Sequence, residues 1–182
     1  YIKKVVVWNK LYKKELLKNI IFPEGKLHED EFTTHKILYN ANKIISSNKY
    51  IYGYMQTQNS IMRKEISKKR INDNLEASIH ALRFFNENKL PNIEAKIMLR
   101  YLENCIELSG KINNEESKDK QEKLDIIERK FFMFYNNLDG IEKYITSDLE
   151  KQVLKLIDLA YNELIEKHNL YKFWNTLSEI IK

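Results

Sequence analysis

Three consecutive carboxylates, Glu29, Asp30 and Glu31, follow His28 and form the densest polar cluster in the chain. Charges held so close repel one another. A partly desolvated member is harder to ionise and can serve as a tuned base. The other reading is a helix start, where acidic side chains complement the backbone dipole. The residues alone leave both open. His28 and His35, with Glu31 between them, are also the material of a metal hydrolase site. No tight His-x-x-x-His or His-Asp pair accompanies them, which weighs against zinc. His80 and His168 read as surface or satisfied core residues. Cys105 lies on an apolar stripe and reads as a small core residue, not a nucleophile.

The elements that must position this cluster fall into two textures. Up to Met62 the pattern is mixed. Val5-Val6-Val7 and Trp8 read as a buried strand, and Lys10 to Asn19 as a helix. Phe22-Pro23-Glu24-Gly25 reads as a turn, with Pro fixing one dihedral and Gly free to take another. Glu29 to Ala41 is expected to be helical, with Phe32 and Tyr39 one heptad apart. Tyr50, Tyr52, Tyr54 and Gln56 alternate with Ile51, Gly53 and Met55, a period-two strand signal, and Ile44-Ile45 is a candidate neighbour.

Beyond Ser60 the apolar residues recur at helical spacing. The stripes are Ile71, Leu75, Ile79, Leu82 and Phe85; then Ile93, Ile97, Tyr101, Cys105 and Leu108, after Pro91 and an expected Asn92 cap. Leu124, Ile127, Phe131, Phe134 and Leu138 follow, closed by Asp139-Gly140. Ser147 and Glu150 form a capping box ahead of Leu149, Val153, Leu156 and Ala160. Leu170, Trp174, Leu177 and Ile181 make a last helix. Asn113 to Lys123 reads as a polar loop or an exposed first turn. Each stripe leaves its opposite face charged, so these helices should bury against one another. Only 4 Gly and 2 Pro in 182 residues support long helices with few turns.

The first third carries a resemblance on five short pieces: Trp8-Asn9-Lys10-Leu11-Tyr12, Phe22-Pro23-Glu24-Gly25-Lys26, Glu29-Asp30-Glu31-Phe32, Tyr52-Gly53-Tyr54 and Ser60-Ile61-Met62. In this order and spacing they resemble the second half of a family 2 glycosyltransferase of the GT-A type. The resemblance implies a nucleotide-sugar donor, a glycan or lipid-linked acceptor, and inversion at the anomeric carbon. It also implies a divalent metal, Mg or Mn, on an Asp-x-Asp motif in a nucleotide-binding half. By this likeness Asp30 is the base that takes the acceptor proton, with Glu29 beside it. Trp8, Asn9, Lys10, His28 and Glu31 stand on the acceptor side.

Trp8 would offer a flat face to a sugar ring, or pack as a core tryptophan behind the strand. Lys10 would meet a phosphate or lie on a solvated helix face, and Tyr12 reads as packing. No Asp-x-Asp occurs in these residues, so no metal ligand is assigned within them. Met55 and Thr57 stand where relatives carry basic residues, so no diphosphate contact is assigned to that loop.

The expected architecture is therefore mainly α. Residues 1–62 form a small α+β segment, the carboxyl-terminal edge of a GT-A domain, and residues 63–182 form a helical bundle. The chain opens on Tyr1 and runs straight into an apolar segment, which suggests a piece of a longer protein and an inactive fragment on its own. No apolar run is long enough to span a membrane, no signal peptide is visible, and one cysteine cannot form an internal disulfide. A cytoplasmic protein fits, at the inner membrane face if the acceptor is lipid-linked.

Two non-catalytic readings stand beside this one. A net charge of +5 is far short of a nucleic-acid-binding face. The cluster of Arg63, Lys64, Lys68, Lys69 and Arg70 lacks interleaved aromatics and so suits a solvated face or an anionic lipid surface. The helical tail is also a candidate partner-binding or self-associating module, with an orphaned strand at Val5 to Val7 able to pair with a second copy.

Overall fold

A computed structural model describes residues 5–50, 52–53, 55, 65–135, 144 and 147–167. The chain divides into two compact units, Tyr1–Glu65 and Ile66–Lys182.

In the first unit, the described residues form no strand. This corrects the expected α+β segment. Val5 is helical and Val6 to Asn9 pass through a bend and turn. The Lys10 ammonium folds back onto the Val6 carbonyl oxygen and donates to Asn9 Oδ1 at 2.8 Å. A β-branched run makes a strand only where a neighbouring strand takes its N–H and C=O groups, and here a side chain supplies that partner locally. Ile44, Ile45, Tyr50, Tyr52 and Met55 are all exposed, so the alternation there is not the alternation of a half-buried sheet. Ile51, Tyr54, Gln56 and the Ser60-Ile61-Met62 piece lie outside the described residues.

The helix expected over Lys10 to Asn19 shrinks to a 3₁₀ turn, Lys14–Leu17. Its N-terminus lacks a side-chain cap, and Asn19 takes a φ of 71°, which breaks any continuation. The helix expected from Glu29 begins later, as α1, Thr34–Tyr39. Its approach is a chain of tight turns from His28 to Thr33. Phe32 and Ile37 are buried under it, while Tyr39 is exposed, so the heptad pairing of Phe32 with Tyr39 does not hold.

The second unit is helical, as its periodicity predicts. Its described helices are α2, Lys68–Glu87, α3, Pro91–Asn113, α4, Lys120–Tyr135, and α5, Asp148–Lys167. Ser67 caps α2 by accepting the Arg70 N–H at 3.1 Å. Pro91 is the first residue of α3, where its missing N–H costs nothing. The expected Asn92 cap is therefore absent, and Leu90 holds that position without a side-chain bond.

α3 touches α2, α4 and α5, and α2 also touches α4. That central place explains why its buried residues exceed one stripe: Ala95, Met98, Leu102, Ile106 and Ile112 join Tyr101 and Cys105 inside. Ile93, from the expected stripe, is instead exposed at the helix start. Ile71, Leu75, Ile127, Phe131 and Ile157 complete the core. Tyr135 of α4 stacks on Tyr161 of α5 at 3.8 Å and donates to Asp158 Oδ1 at 3.0 Å.

Lys123 stands where a loop or an exposed first turn is expected, yet it is 2% exposed. Its ammonium meets Asp119 at 2.9 Å, Ser117 Oγ at 3.0 Å and Glu115 at 3.6 Å. Glu115 Oε1 in turn accepts the Ile66 N–H at 2.9 Å, tying the start of this unit to the loop after α3. The Glu150 side chain of the expected capping box lies outside the described residues, as do Leu138, Asp139-Gly140, the last helix from Leu170 to Ile181, and His168. The side chains of Leu149, Leu156 and Ala160 do so too.

Candidate acceptor site

The carboxylate cluster sits on a turn, not within a helix. Gly25 takes a φ of 70° with open space around its missing side chain, and His28 takes a φ of 60°. A non-glycine residue in the left-handed region is strained and occurs most often where local structure or function holds it. After His28 the turns close in succession. The Glu31 N–H donates to the His28 carbonyl oxygen at 3.0 Å, and Thr33 and Thr34 N–H donate to that of Asp30 at 3.1 and 2.9 Å. The backbone around Asp30 is thus fixed on both sides.

Asp30 is half-buried and Glu29 exposed. Burial holds the Asp30 carboxyl above the usual carboxylate range, and the neighbouring Glu29 charge pushes the same way. A charged His28, and N–H groups of Glu31 and of Asp30 itself, pull it down. The net direction is up, because burial of a charge outweighs the hydrogen bonds that favour it.

The first segment meets this turn directly. Thr34 Oγ1, one helical turn after Asp30, donates to the Val5 carbonyl oxygen at 2.5 Å. Burial lowers the Lys10 ammonium pKa while the Asp30 charge raises it, and the net shift is downward. Burial, and then the Asp30 charge, raise that of the Tyr12 phenol. Lys10 and Tyr12 therefore lie within electrostatic reach of Asp30. Asn9 is held by Lys10. Glu31 contributes its carbonyl oxygen, 3.3 Å from His35 Nδ1.

Trp8 is 39% exposed and its ring lies 4.8 Å from Tyr52 at a 32° tilt. That leaves an aromatic pair partly open to solvent rather than a core tryptophan behind a strand. Tyr12, read from the sequence as packing, is half-buried. Its Oη is fully buried without a hydrogen-bond partner among the described residues.

Other candidates fare differently. Among the described residues no three His, Cys, Asp or Glu side chains stand together as metal ligands. They do not fit the divalent ion implied by the resemblance, nor a site built on His28 and His35. Cys105 is fully buried, and burial pushes its thiol pKa far up, so it stays protonated. In the basic cluster, Lys68 pairs with Glu122, Lys69 with Asp73 at 2.5 Å, and Glu115 stands within charge reach of Arg70. Carboxylates therefore neutralise much of its field. Arg63 and Lys64 lie outside the described residues. Among the described residues no helix is long and apolar enough to cross a membrane.

No family model matches the chain, and no solved structure does. Part of it is similar to two proteins of Streptococcus pneumoniae serotype 4. Glycosyltransferase GlyG is 34% identical over 92 residues, covering 42% of this chain and 31% of that protein. Glycosyltransferase GlyA is 36% identical over 59 residues, covering 32% of this chain and 8% of that protein. The chain thus spans under a third of one relative and under a tenth of the other, and these likenesses relate it to glycosyltransferases over part of its length.

Proposed function

We propose that residues 5–62 form the acceptor side of an inverting glycosyltransferase, with Asp30 as the general base. The observation that carries this reading is the half-buried Asp30 carboxyl, raised in pKa on a turn fixed from both sides. The partial likeness to streptococcal glycosyltransferases supports it.

A sugar hydroxyl is a poor nucleophile until its proton has somewhere to go. As the acceptor oxygen bonds to the anomeric carbon, the bond from that carbon to the nucleotide diphosphate breaks. The hydroxyl proton passes to the Asp30 carboxylate. The departing diphosphate carries its own charge and needs no proton from this chain. A placed base of this kind contributes roughly 10²–10⁴ in rate.

Burial, and then the Glu29 charge, keep the Asp30 pKa high, while the open face of Trp8 receives an acceptor ring beside Asn9, Lys10, His28 and Glu31. The acceptor is a glycan or a lipid-linked sugar. Donor nucleotide and its divalent ion, Mg or Mn, fall to residues other than those described.

Calorimetry of this 182-residue chain with uridine diphosphate tests the division of labour. The expected result is no micromolar binding, because the diphosphate contacts lie elsewhere. Tight binding would move the donor site into this chain and overturn the acceptor-side assignment.

A further inference from the structure

We propose that Tyr52 is a positioning residue that holds Trp8 as an open aromatic platform for one pyranose ring of the acceptor. This rests on the acceptor-side reading above and adds to it a residue and a mode of contact.

The segment that carries Tyr52 has few ties of its own. Its described residues, 42–50, 52, 53 and 55, are all exposed. Among them the one hydrogen bond runs from the Lys49 N–H to Ser47 Oγ, inside the segment. The tie to the rest of the first unit is the ring of Tyr52 against that of Trp8, 4.8 Å between centroids at a 32° tilt. An aromatic pair of this kind contributes about 0.5–1.5 kcal/mol beyond its burial. Fixing the backbone of a single residue costs about 1–2 kcal/mol. The contact therefore adds little to stability, and its main consequence is the orientation that it gives the two rings.

That orientation leaves aromatic surface in water. Trp8 is 39% exposed and Tyr52 55%. Beside Tyr52, Gly53 has no atom within 4 Å of where a side chain would begin, so no neighbour closes the approach there. A neutral pyranose suits such a surface. It carries hydroxyls around its rim and C–H bonds on its faces, so a ring laid on the platform buries C–H groups while its hydroxyls stay hydrated. Neither a deep pocket nor a buried polar partner is needed. An anion is disfavoured, because the face of an aromatic ring is the negative end of its quadrupole.

Saturation-transfer NMR on this chain, with methyl β-D-glucoside, methyl β-D-galactoside and open-chain sorbitol as probes, tests the inference. Wild type should saturate the ring C–H protons of at least one glycoside and leave sorbitol unsaturated. Tyr52→Phe should keep that binding. Tyr52→Leu, apolar but not flat, should weaken it about three- to tenfold. Both variants should melt near wild type, because the side chain is largely exposed. Glycoside binding undiminished in Tyr52→Leu, or matched by sorbitol, would overturn the platform and leave the acceptor-side reading standing. Failure of wild type to bind any glycoside would overturn the platform and the acceptor-side reading together.

Discussion

Thr34 Oγ1 donates to the Val5 carbonyl oxygen across 29 residues, and this bond ties the start of the first segment to the turn that carries Asp30. Thr34 is 2% exposed, so the carbonyl would find little water if the hydroxyl were removed. Thr34→Val, nearly the same shape, should cost about 1–3 kcal/mol in urea unfolding. Thr34→Ser should recover most of it. Equal stability for all three proteins would show that the bond holds nothing in place.

Asp30 gives a pH prediction of definite sign. Its folded pKa lies above the unfolded value of 3.8, so the folded state holds the proton longer. Its contribution to stability is fully present below that unfolded value and is lost as pH rises through the folded one. At neutral pH the ionised carboxylate is a burden on the fold. Asp30→Asn should therefore melt no lower than wild type at pH 7. Carbon-13 NMR of the side-chain carboxyl should show Asp30 titrating above its ordinary value of 3.8. Titration in the ordinary range, together with a lower melting temperature for the variant, would contradict this.

Lys123 behaves oppositely. The Ser117 hydroxyl and then the Lys123 ammonium hold Asp119 below its ordinary value of 3.8. That contribution is present above the unfolded pKa and lost as pH falls through the folded one. Lys123→Met should lower stability at neutral pH and flatten the acid limb of the stability profile. The exposed Lys118→Met should stay within about 0.5 kcal/mol. A Lys123 variant as stable as the Lys118 variant would mean that the buried ammonium is not paired as described.

The core of the second unit predicts a contrast on one helix. Phe131 is fully buried and Met133 is 55% exposed. Phe131→Ala should cost about 3–5 kcal/mol, and Met133→Ala less than about 0.5 kcal/mol, in chemical denaturation. Similar losses at the two positions would place α4 in a different rotation.

These contrasts show what could be read from the residues. The stripes of α2 to α4 were legible because burial on a helix repeats every three to four residues whatever the partner is. The width of the buried surface on α3 was not, since it depends on how many neighbours a helix has. Lys123 was misread for a related reason: Asp119 four residues before it and Glu115 eight before it are close in sequence, but only the packed turn shows that they accompany the ammonium inside.

The first unit misled more. Val5 to Trp8 and Tyr50 to Gln56 carry strand-like patterns, but a strand exists only by pairing, and the described residues form none. The left-handed turns at Asn19 and His28 have no glycine to announce them. The Glu29-Asp30-Glu31 cluster was visible at once. Its placement on a turn came only with the fold.

The most direct test of the account is sugar transfer by the protein as its gene encodes it, across a panel of nucleotide sugars, comparing Asp30→Asn with Glu29→Gln. Asp30→Asn should lower kcat by at least about 10²-fold with donor KM nearly unchanged, while Glu29→Gln should retain most activity. Near-normal turnover by the Asp30→Asn protein would contradict it.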